Sequence, residues 1–465
     1  MHDLETLRSG GYIAAGLTQF KLTCPLATFP EEILELGDTL SGLDLSGTGL
    51  SSLPATLGSA LPNLKIAYFS NCNFRAFPEA LGSCPKLEIV NFRSNVMQQI
   101  PEDALPPSLR VLGLTDNRLT RLPSSIGRCS RLQKCMLAGN QLRDLPPEMA
   151  QCQKLTMLRL SSNLLEALPA WLLSLPELAF LSFASNPCAS PTTNGVHTRP
   201  GLVDIPWRML EVSRETPSNT LHGLWRMSPD FSERVAIKLF RGPITDVGCP
   251  ADEMVAWLAA GAHENLMTVM GRIKGHPDED VDPTFQGGIV TQRITSEYAP
   301  LSEYGRQDGP GPDQDGGGGG NARRLSIRTA LAMLTGLANV MTFLHARGIA
   351  HGHLIKERII ASADNGHAML ADFATATIYG RGPAGEYHES IEKIEVRAFG
   401  LLLGDVLEFA KCDEADAAVE RELRRLYERC MDPEVEDRST FDYVKFRLEW
   451  TMGWRPMPAA RMSDL

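Results

Sequence analysis

The chain has 465 residues, a formal net charge of -11 and an isoelectric point of about 5.5. Hydrophobic residues make up 43% and charged residues 22% of it, which is a globular composition rather than a disordered one. Because nucleic acids and anionic membranes require a basic surface, the acidic charge argues against both as main partners. The ten cysteines show no CxxC pair and no metal-ligand spacing, so we interpret them as small buried hydrophobes in a reducing compartment.

The first residues predict neither export nor membrane insertion. They read MHDLETLRSGGYIAAG, without a basic segment followed by a long apolar run, so we expect no signal peptide. The sequence also lacks an uninterrupted run of about 18 apolar residues, so we expect no transmembrane helix. Both halves of the chain are therefore predicted to share one compartment, the cytoplasm.

A repeating pattern, LxxLxLxxNxLxxLP, runs through the first half from residue 40. Its clearest copy consists of Leu109, Leu112, Leu114, Asn117, Leu119, Leu122 and Pro123. The asparagine position recurs every 22 to 24 residues, as Thr48, Cys72, Asn95, Asn117, Asn140, Asn163 and Asn186. A degenerate copy at residues 17–30 raises the total to about eight repeats.

This pattern resembles the leucine-rich repeat, which implies a β/α horseshoe solenoid over residues 1–187. One such repeat cannot bury its own leucines, and stacking of neighbouring repeats forms a continuous apolar column. The asparagine is expected inside the turn, where its amide satisfies buried backbone groups. Thr48 and Cys72 can replace it only in part.

The outward-facing strand residues of such an array line its concave face. In this register they include Tyr68, Asn91, Arg93, Asp116, Lys134, Met136, Arg159 and Phe180. We predict that a protein partner binds this face, since curved solenoid surfaces commonly serve that purpose. The alternative is an ordinary solvated sheet face. The array is predicted to end at Asn186 and Pro187, followed by a linker at residues 188–204.

The second half carries a series of motifs in a fixed order. A strand holds Lys238, a following helix holds Glu253, and a long helix spans residues 325–345. The remaining motifs are His351-Gly352-His353-Leu354, Leu370-Ala371-Asp372-Phe373-Ala374, Val396-Arg397-Ala398-Phe399-Gly400 and a late Arg438. In this order they resemble a protein kinase over residues 205–455, with a tail at 456–465.

Three segments, VAIKLFRG, PADEM and EVRAFG, resemble in particular the soluble bacterial-type and microbial-eukaryote leucine-rich-repeat protein kinases. The resemblance implies a two-lobed α+β domain after the solenoid. It also implies that Lys238 and Glu253 serve nucleotide binding and that Asp372 is the metal ligand. ATP and magnesium are the candidate cofactors.

The catalytic positions depart from that family. His353 occupies the position of the aspartate base, and Arg358 occupies that of a metal-binding asparagine, where a fixed cation cannot ligate a metal. The stretch expected to form the glycine-rich loop contains only Gly223. We therefore predict a signalling pseudokinase or scaffold.

Two alternatives remain open. One is an active, atypical serine/threonine-type kinase with His353 as base and Arg358 supplying the charge of one magnesium. The other is a structural scaffold that binds nothing small, in which Lys238 only pairs with Glu253 and Asp372 only holds a loop. Nucleotide binding is a question separate from catalysis, because Lys238, Glu253 and Asp372 are all retained.

A low-complexity insert at residues 305–321 predicts a flexible loop. Directly after it, Arg323-Arg324-Leu325-Ser326 forms a substrate pattern for basophilic kinases, which makes Ser326 a candidate phosphorylation site. The alternative is that Ser326 caps the following helix.

Overall fold

A computed structural model describes residues 2–189, 202–213, 220–245, 247–304, 325–380 and 386–453. The chain divides into two compact units. The first, here called the repeat unit, comprises Met1–Thr192, Pro243–Asp252 and Thr377–Tyr387. The second, here called the C-terminal unit, comprises Thr193–Gly242, Glu253–Ala376 and His388–Leu465. The repeat unit thus includes two segments from the second half of the chain, which the sequence analysis assigned to the other domain.

The repeat unit is built on one parallel sheet of eight short strands, which follow one another in chain order. They are β1 (Gln19–Lys21), β2 (Gly42–Asp44), β3 (Ile66–Tyr68), β4 (Ile89–Asn91), β5 (Val111–Gly113), β6 (Lys134–Met136), β7 (Met157–Arg159) and β8 (Phe180–Ser182). Each strand pairs with the next in register. This sheet supports the predicted solenoid, and its eight strands agree with the predicted number of about eight repeats.

Short helices precede the first strand and connect most of the strands, although the described residues between β4 and β5 contain no helix. They are α1 (Leu4–Arg8), α2 (Leu57–Ala60), α3 (Ala170–Leu173) and the 3₁₀ helices Ile13–Ala15, Glu31–Leu36, Glu79–Ser83, Ser124–Arg128 and Pro147–Gln151. The prolines that close the repeat pattern precede several of them, as Pro123 and Pro169 do. Proline suits this position because its fixed φ lets the chain enter a helical turn without losing a needed donor.

The central residue of every strand points into the core. Leu43, Ala67, Val90, Leu112, Cys135, Leu158 and Leu181 are all at most 3% exposed. All ten cysteines are free thiols, and seven of them are buried. They therefore fill space as small apolar side chains.

The asparagines form a ladder inside the turns. Asn140 Nδ2 donates to the carbonyls of Leu114 and Leu137, each at 2.9 Å, and Asn140 Oδ1 accepts the N–H of Leu119 at 3.0 Å. Thr48 and Cys72 reproduce only part of this pattern, through contacts with the carbonyl of Leu45. The buried backbone groups of each turn are thus satisfied by a side chain of the next repeat.

A six-stranded sheet dominates the first part of the C-terminal unit. Its strands are β9 (Val203–Pro206), β10 (Leu210–Ser213), β11 (Thr220–Ser228), β12 (Phe231–Arg241), β13 (Val269–Lys274) and β14 (Phe285–Gln292), in the order β10-β11-β12-β14-β13-β9. The predicted linker was too long at both ends. Cys188 and Ala189 are buried in the repeat unit, and Val203 already pairs with β13.

Helices make up most of the rest of the C-terminal unit: α4 (Pro250–Ala260), α5 (Ile327–His345), α6 (His388–Phe409), α7 (Ala417–Cys430) and α8 (Phe441–Gly453). The first three residues of α4 group with the repeat unit. Among the described residues, α5 alone has the length and composition to cross a membrane, but 67% of that stretch is buried inside the protein. Such burial is typical of a core helix in a globular domain.

The remaining elements are short. They are the strands β15 (Ala299–Pro300), β16 (Leu325–Ser326), β17 (Ile349–Ala350), β18 (Ile359–Ala361), β19 (Ala368–Leu370), β20 (Thr377–Ile378) and β21 (Ala410–Lys411), and the 3₁₀ helices Trp207–Met209, Leu301–Glu303, Lys356–Arg358 and Glu414–Asp416. Antiparallel pairing of β18 with β15 and β19 forms a small sheet. Its strands β18 and β19 lie between Arg358 and Asp372 in sequence.

Candidate functional site

The Lys238 side chain, on β12, forms an ion pair with Glu253 on α4. Trp257 lies one helical turn after Glu253 and donates its indole N–H to the same carboxylate oxygen, at 3.3 Å. Glu253 is only 7% exposed. Burial raises the pKa of Glu253 above its ordinary value, and the charge of Lys238 opposes that shift. The structure thus brings these two predicted site residues together, and two donors hold the same oxygen of the Glu253 carboxylate.

Asp372 follows β19 in a left-handed conformation, with φ of 66°. Its Oδ1 accepts the N–H of Ala374 at 3.0 Å, and its Oδ2 lies 3.4 Å from Arg358 Nη1. Burial alone would raise the pKa of Asp372, but the charges of Arg358 and Lys238 outweigh it and hold the pKa below its ordinary value. Asp372 is therefore an ionised carboxylate that already has a cationic partner.

Arg358 is fixed from a second direction. Its Nη1 donates to Thr375 Oγ1 at 3.3 Å, and the Thr375 hydroxyl in turn donates to the carbonyl of His351 at 3.0 Å. The Arg358 side chain is only 11% exposed. A guanidinium held at two points is a permanent, positioned cation.

The loop that holds His353 is anchored by a buried carboxylate. Glu395, on α6, accepts the N–H of His351 at 3.0 Å and the N–H of Gly352, and it lies 2.9 Å from Nε2 of His345. The N–H of His353 is 3.4 Å from Nδ1 of His351. Burial lowers the pKa of His351, whose ring is fully enclosed, so that ring is neutral near pH 7.

The predicted metal role of Asp372 does not fit its surroundings. Within the described residues, no group of three or more histidine, cysteine, aspartate or glutamate side chains could hold a metal ion. Arg358 occupies one side of the Asp372 carboxylate and would repel a divalent cation there. We therefore assign no chemical step to a bound metal.

Gly223 lies inside a strand rather than in a phosphate-binding turn. It pairs with Val235, and a Cβ on it would stand 2.6 Å from the carbonyl oxygen of Glu211. The glycine thus permits close packing of β11 against β10. Residues 214–219, which join these two strands and include Pro217, lie outside the described residues.

The predicted concave-face residues differ in exposure. Tyr68 and Asn91 end their strands half-buried, and Lys134 is exposed at the start of β6. Arg93 and Asp116 follow their strands instead of lying in them. The prediction was wrong for Arg159, which ends β7 and is only 8% exposed. The two remaining residues of that register, Met136 and Phe180, are half-buried.

Ser326 caps helix α5, because its Oγ accepts the N–H of Thr329 at 3.0 Å. The capping alternative is therefore present in the structure. The side chain remains exposed, so its role as a phosphorylation site stays a prediction. Arg323, Arg324 and the insert at residues 305–321 lie outside the described residues.

Sequence reasoning missed the way the repeat unit ends. The N–H of Phe183, just after β8, donates to Thr377 Oγ1 at 3.0 Å, and Ser185 Oγ donates to Asp252 Oδ1 at 2.7 Å. Thr377 and Asp252 come from the two later segments that group with the repeats. Their separation in sequence is large and follows no period, so no pattern could reveal them.

Two comparisons with known proteins concern the repeats. Residues 107–165 and 130–187 match the family model described as leucine rich repeat. A solved leucine-rich-repeat protein of Leptospira interrogans is 27% identical over 36% of this chain, with a TM-score of 0.30. The match spans about half of that protein, 49% of its chain. No curated protein matches this chain.

Proposed function

Because the chain is a leucine-rich-repeat protein, we propose that it is a cytoplasmic signalling scaffold whose C-terminal unit is a kinase-like module without effective phosphotransfer. The repeats bind a protein partner through the exposed residues of the concave face, such as Lys134. The C-terminal unit reports or regulates that binding. The resemblance to protein kinases supports this assignment of the C-terminal unit.

The ion pair between Arg358 and Asp372 is the observation that carries the proposal. Phosphoryl transfer requires metal ions that bridge the phosphates and neutralise the developing charge. Here the carboxylate expected to hold magnesium is paired with a guanidinium at 3.4 Å. Arginine carries its charge at every physiological pH, because its guanidinium is not deprotonated in that range.

The same geometry favours nucleotide binding without magnesium. Lys238 and Arg358 both lower the pKa of Asp372, so both positive charges act on the same carboxylate. Two positioned cations can neutralise part of a triphosphate, although an arginine cannot activate the transferred group as a bridging metal does. ATP is therefore proposed as a ligand that stabilises the module, with Lys238 as its main phosphate contact.

Thermal unfolding of the full chain with ATP, in a chelator and in magnesium, tests the proposal. We expect a similar rise in the unfolding temperature under both conditions. A rise that requires magnesium would favour an active atypical kinase. The absence of any rise would favour a scaffold in which Lys238 serves only as the ion-pair partner of Glu253.

A phosphotransfer assay separates the first two cases. We expect turnover far below the range of about 1–100 per second typical of kinases. Turnover within that range that is abolished in His353→Ala would contradict the proposal and establish His353 as a catalytic base.

A further inference from the structure

A groove runs across the turns that follow strands β3 to β6 of the repeat unit. Its volume is about 900 Å³, and it adjoins a shallower depression of about 380 Å³. Gln98 and Arg118 line both, so the two form one continuous surface. We call this surface the arginine groove and define it by Arg75, Gln98, Arg118, Arg121 and Gln141. It lies on the turns, apart from the strand residues of the concave face.

Three arginines are exposed along this groove: Arg75, Arg118 and Arg121. In the part of the chain that the structure describes, none of their guanidinium groups has an ion-pair partner. Other arginines of the same array are paired, as Arg110 is with Glu88 and Arg128 is with Asp103. Unpaired positive charge is therefore concentrated here, on a chain whose net charge is -11.

The acidic residue that lines the groove is already engaged. Glu102 accepts the N–H of Ser124 at 3.0 Å and the N–H of Ser125 at 3.1 Å, with one oxygen each. These backbone hydrogen bonds hold the pKa of Glu102 below its ordinary value, so it remains a charged acceptor for the next repeat. Both of its oxygens are engaged in this way, and among the described residues it forms no ion pair with the arginines of the groove.

The groove has a rigid, regular floor. Gln98 N donates to the carbonyl of Arg75, and Gln141 N donates to the carbonyl of Leu119, each at 2.8 Å. Neighbouring turns of such an array are spaced by about 5 Å, so four turns span about 15 Å. An extended peptide of about five residues covers the same length.

We propose that the arginine groove binds an acidic segment of a partner protein in an extended conformation. The arginines supply bidentate donors for carboxylates, and the amides of Gln98 and Gln141 can bond the peptide backbone between them. A single phosphate would contact one turn and leave the others unused. A nucleic acid would meet an acidic protein with only a local basic strip, which disfavours it.

Fluorescence anisotropy of the full chain with a labelled eight-residue glutamate-rich peptide tests this proposal. We expect saturable binding that weakens with added salt. Arg121→Glu should weaken it by about tenfold or more, since it removes a charge-assisted hydrogen bond and adds repulsion. Arg131→Glu is the matched control, because Arg131 is exposed in the same repeat but does not line the groove. It should leave the affinity within about twofold.

A second test reverses the charge of both the groove and the peptide. A lysine-rich peptide of the same length should bind the Arg118→Glu, Arg121→Glu double variant better than it binds the natural chain. Undetectable binding of the acidic peptide, or equal losses in Arg121→Glu and Arg131→Glu, would overturn the proposal. So would displacement of the peptide by inorganic phosphate at an equal concentration, or tighter Arg121-dependent binding of an oligonucleotide of equal charge.

Discussion

The N–H of Phe183 donates to the hydroxyl of Thr377 at 3.0 Å, and both groups are buried. In the preceding repeats the equivalent N–H donates to a carbonyl of the next strand, as Leu160 N does to Ser182 O at 2.7 Å. Among the described residues β8 is the last strand of this sheet, and Thr377 supplies the acceptor that a following strand would provide. An edge that would otherwise leave an unpaired buried donor is closed by a side chain from far along the sequence.

Replacing Thr377 with valine should loosen the end of the array, because it keeps the shape and removes the acceptor. We expect the opening free energy of β8, measured by amide hydrogen exchange at Phe183 and its neighbours, to fall by about 1–3 kcal/mol. Thr377→Ser retains the hydroxyl and is the control. A loss in Thr377→Ser as large as that in Thr377→Val would show that the hydrogen bond is not the main contribution of this side chain.

Leucine truncation should cost more in the middle of the array than at its start. Leu114 and Leu22 are both fully buried, but Leu114 has repeats on both sides. Leu114→Ala should lower the free energy of unfolding by about 2–5 kcal/mol. Urea unfolding followed by circular dichroism measures the change, and a cost as large for Leu22→Ala would contradict a cooperative array.

The buried carboxylate of Glu395 should make the stability of the C-terminal unit depend on pH. Burial would raise its pKa, but interactions with His345, His351 and the Gly352 N–H, of which the His345 hydrogen bond is the largest, outweigh this and keep the pKa below the ordinary value of 4.5. A lowered carboxylate pKa stabilises the folded state above the unfolded-state pKa, and that contribution disappears as the pH falls through the folded-state value. Glu395 therefore stabilises most at neutral pH.

Replacing Glu395 with glutamine should remove about 1–3 kcal/mol of stability near pH 7. The gap in stability to the natural chain should narrow when the pH is lowered from 7 through the folded-state pKa of Glu395, which lies below 4.5, because the natural carboxylate then becomes protonated. Hydrogen exchange of α6 at neutral and at acidic pH measures this difference in stability. A gap that is constant or grows in acid would show that Glu395 is not the charged anchor of the His351 loop.

Arg358→Asn should change the metal requirement of the proposed nucleotide site. Asparagine offers a carbonyl oxygen that a magnesium ion accepts, and Asp372 loses its cationic partner. We expect ATP to stabilise this variant more in magnesium than in a chelator, whereas the natural chain responds similarly in both. Lys356→Gln removes a neighbouring cation that pairs with Asp405 and should behave like the natural chain. If both variants respond alike, Arg358 does not replace a metal.

The repeat array was predictable because its signal is local and repeated. Each buried leucine and each asparagine, such as Asn140, recurs with a period that is set by one structural unit. The exposure of Arg159 was not predictable, because a register gives the direction of a side chain and not what covers it. The same limit applies to Thr377 and Asp252, whose contacts depend on tertiary structure alone.

The candidate site was predictable in part. The strand and helix patterns placed Lys238 opposite Glu253, and the structure shows that pair. The sequence identified Arg358 as unfit to bind a metal, but not that its guanidinium would lie beside Asp372 and Thr375. Side-chain direction in the short Lys356–Arg358 helix is determined by packing, which a motif does not record.

Calorimetric titration of ATP in the presence of a chelator tests the central claim most directly. The natural chain should bind ATP, and Lys238→Met should bind at least about tenfold more weakly, equivalent to about 1.4 kcal/mol. The methionine keeps most of the length of the side chain but cannot donate to a phosphate, and it leaves the Glu253 carboxylate without its counter-charge. If the natural chain binds ATP and the Lys238→Met protein binds it equally well, the nucleotide does not lie at this ion pair and the proposed kinase-like module is wrong.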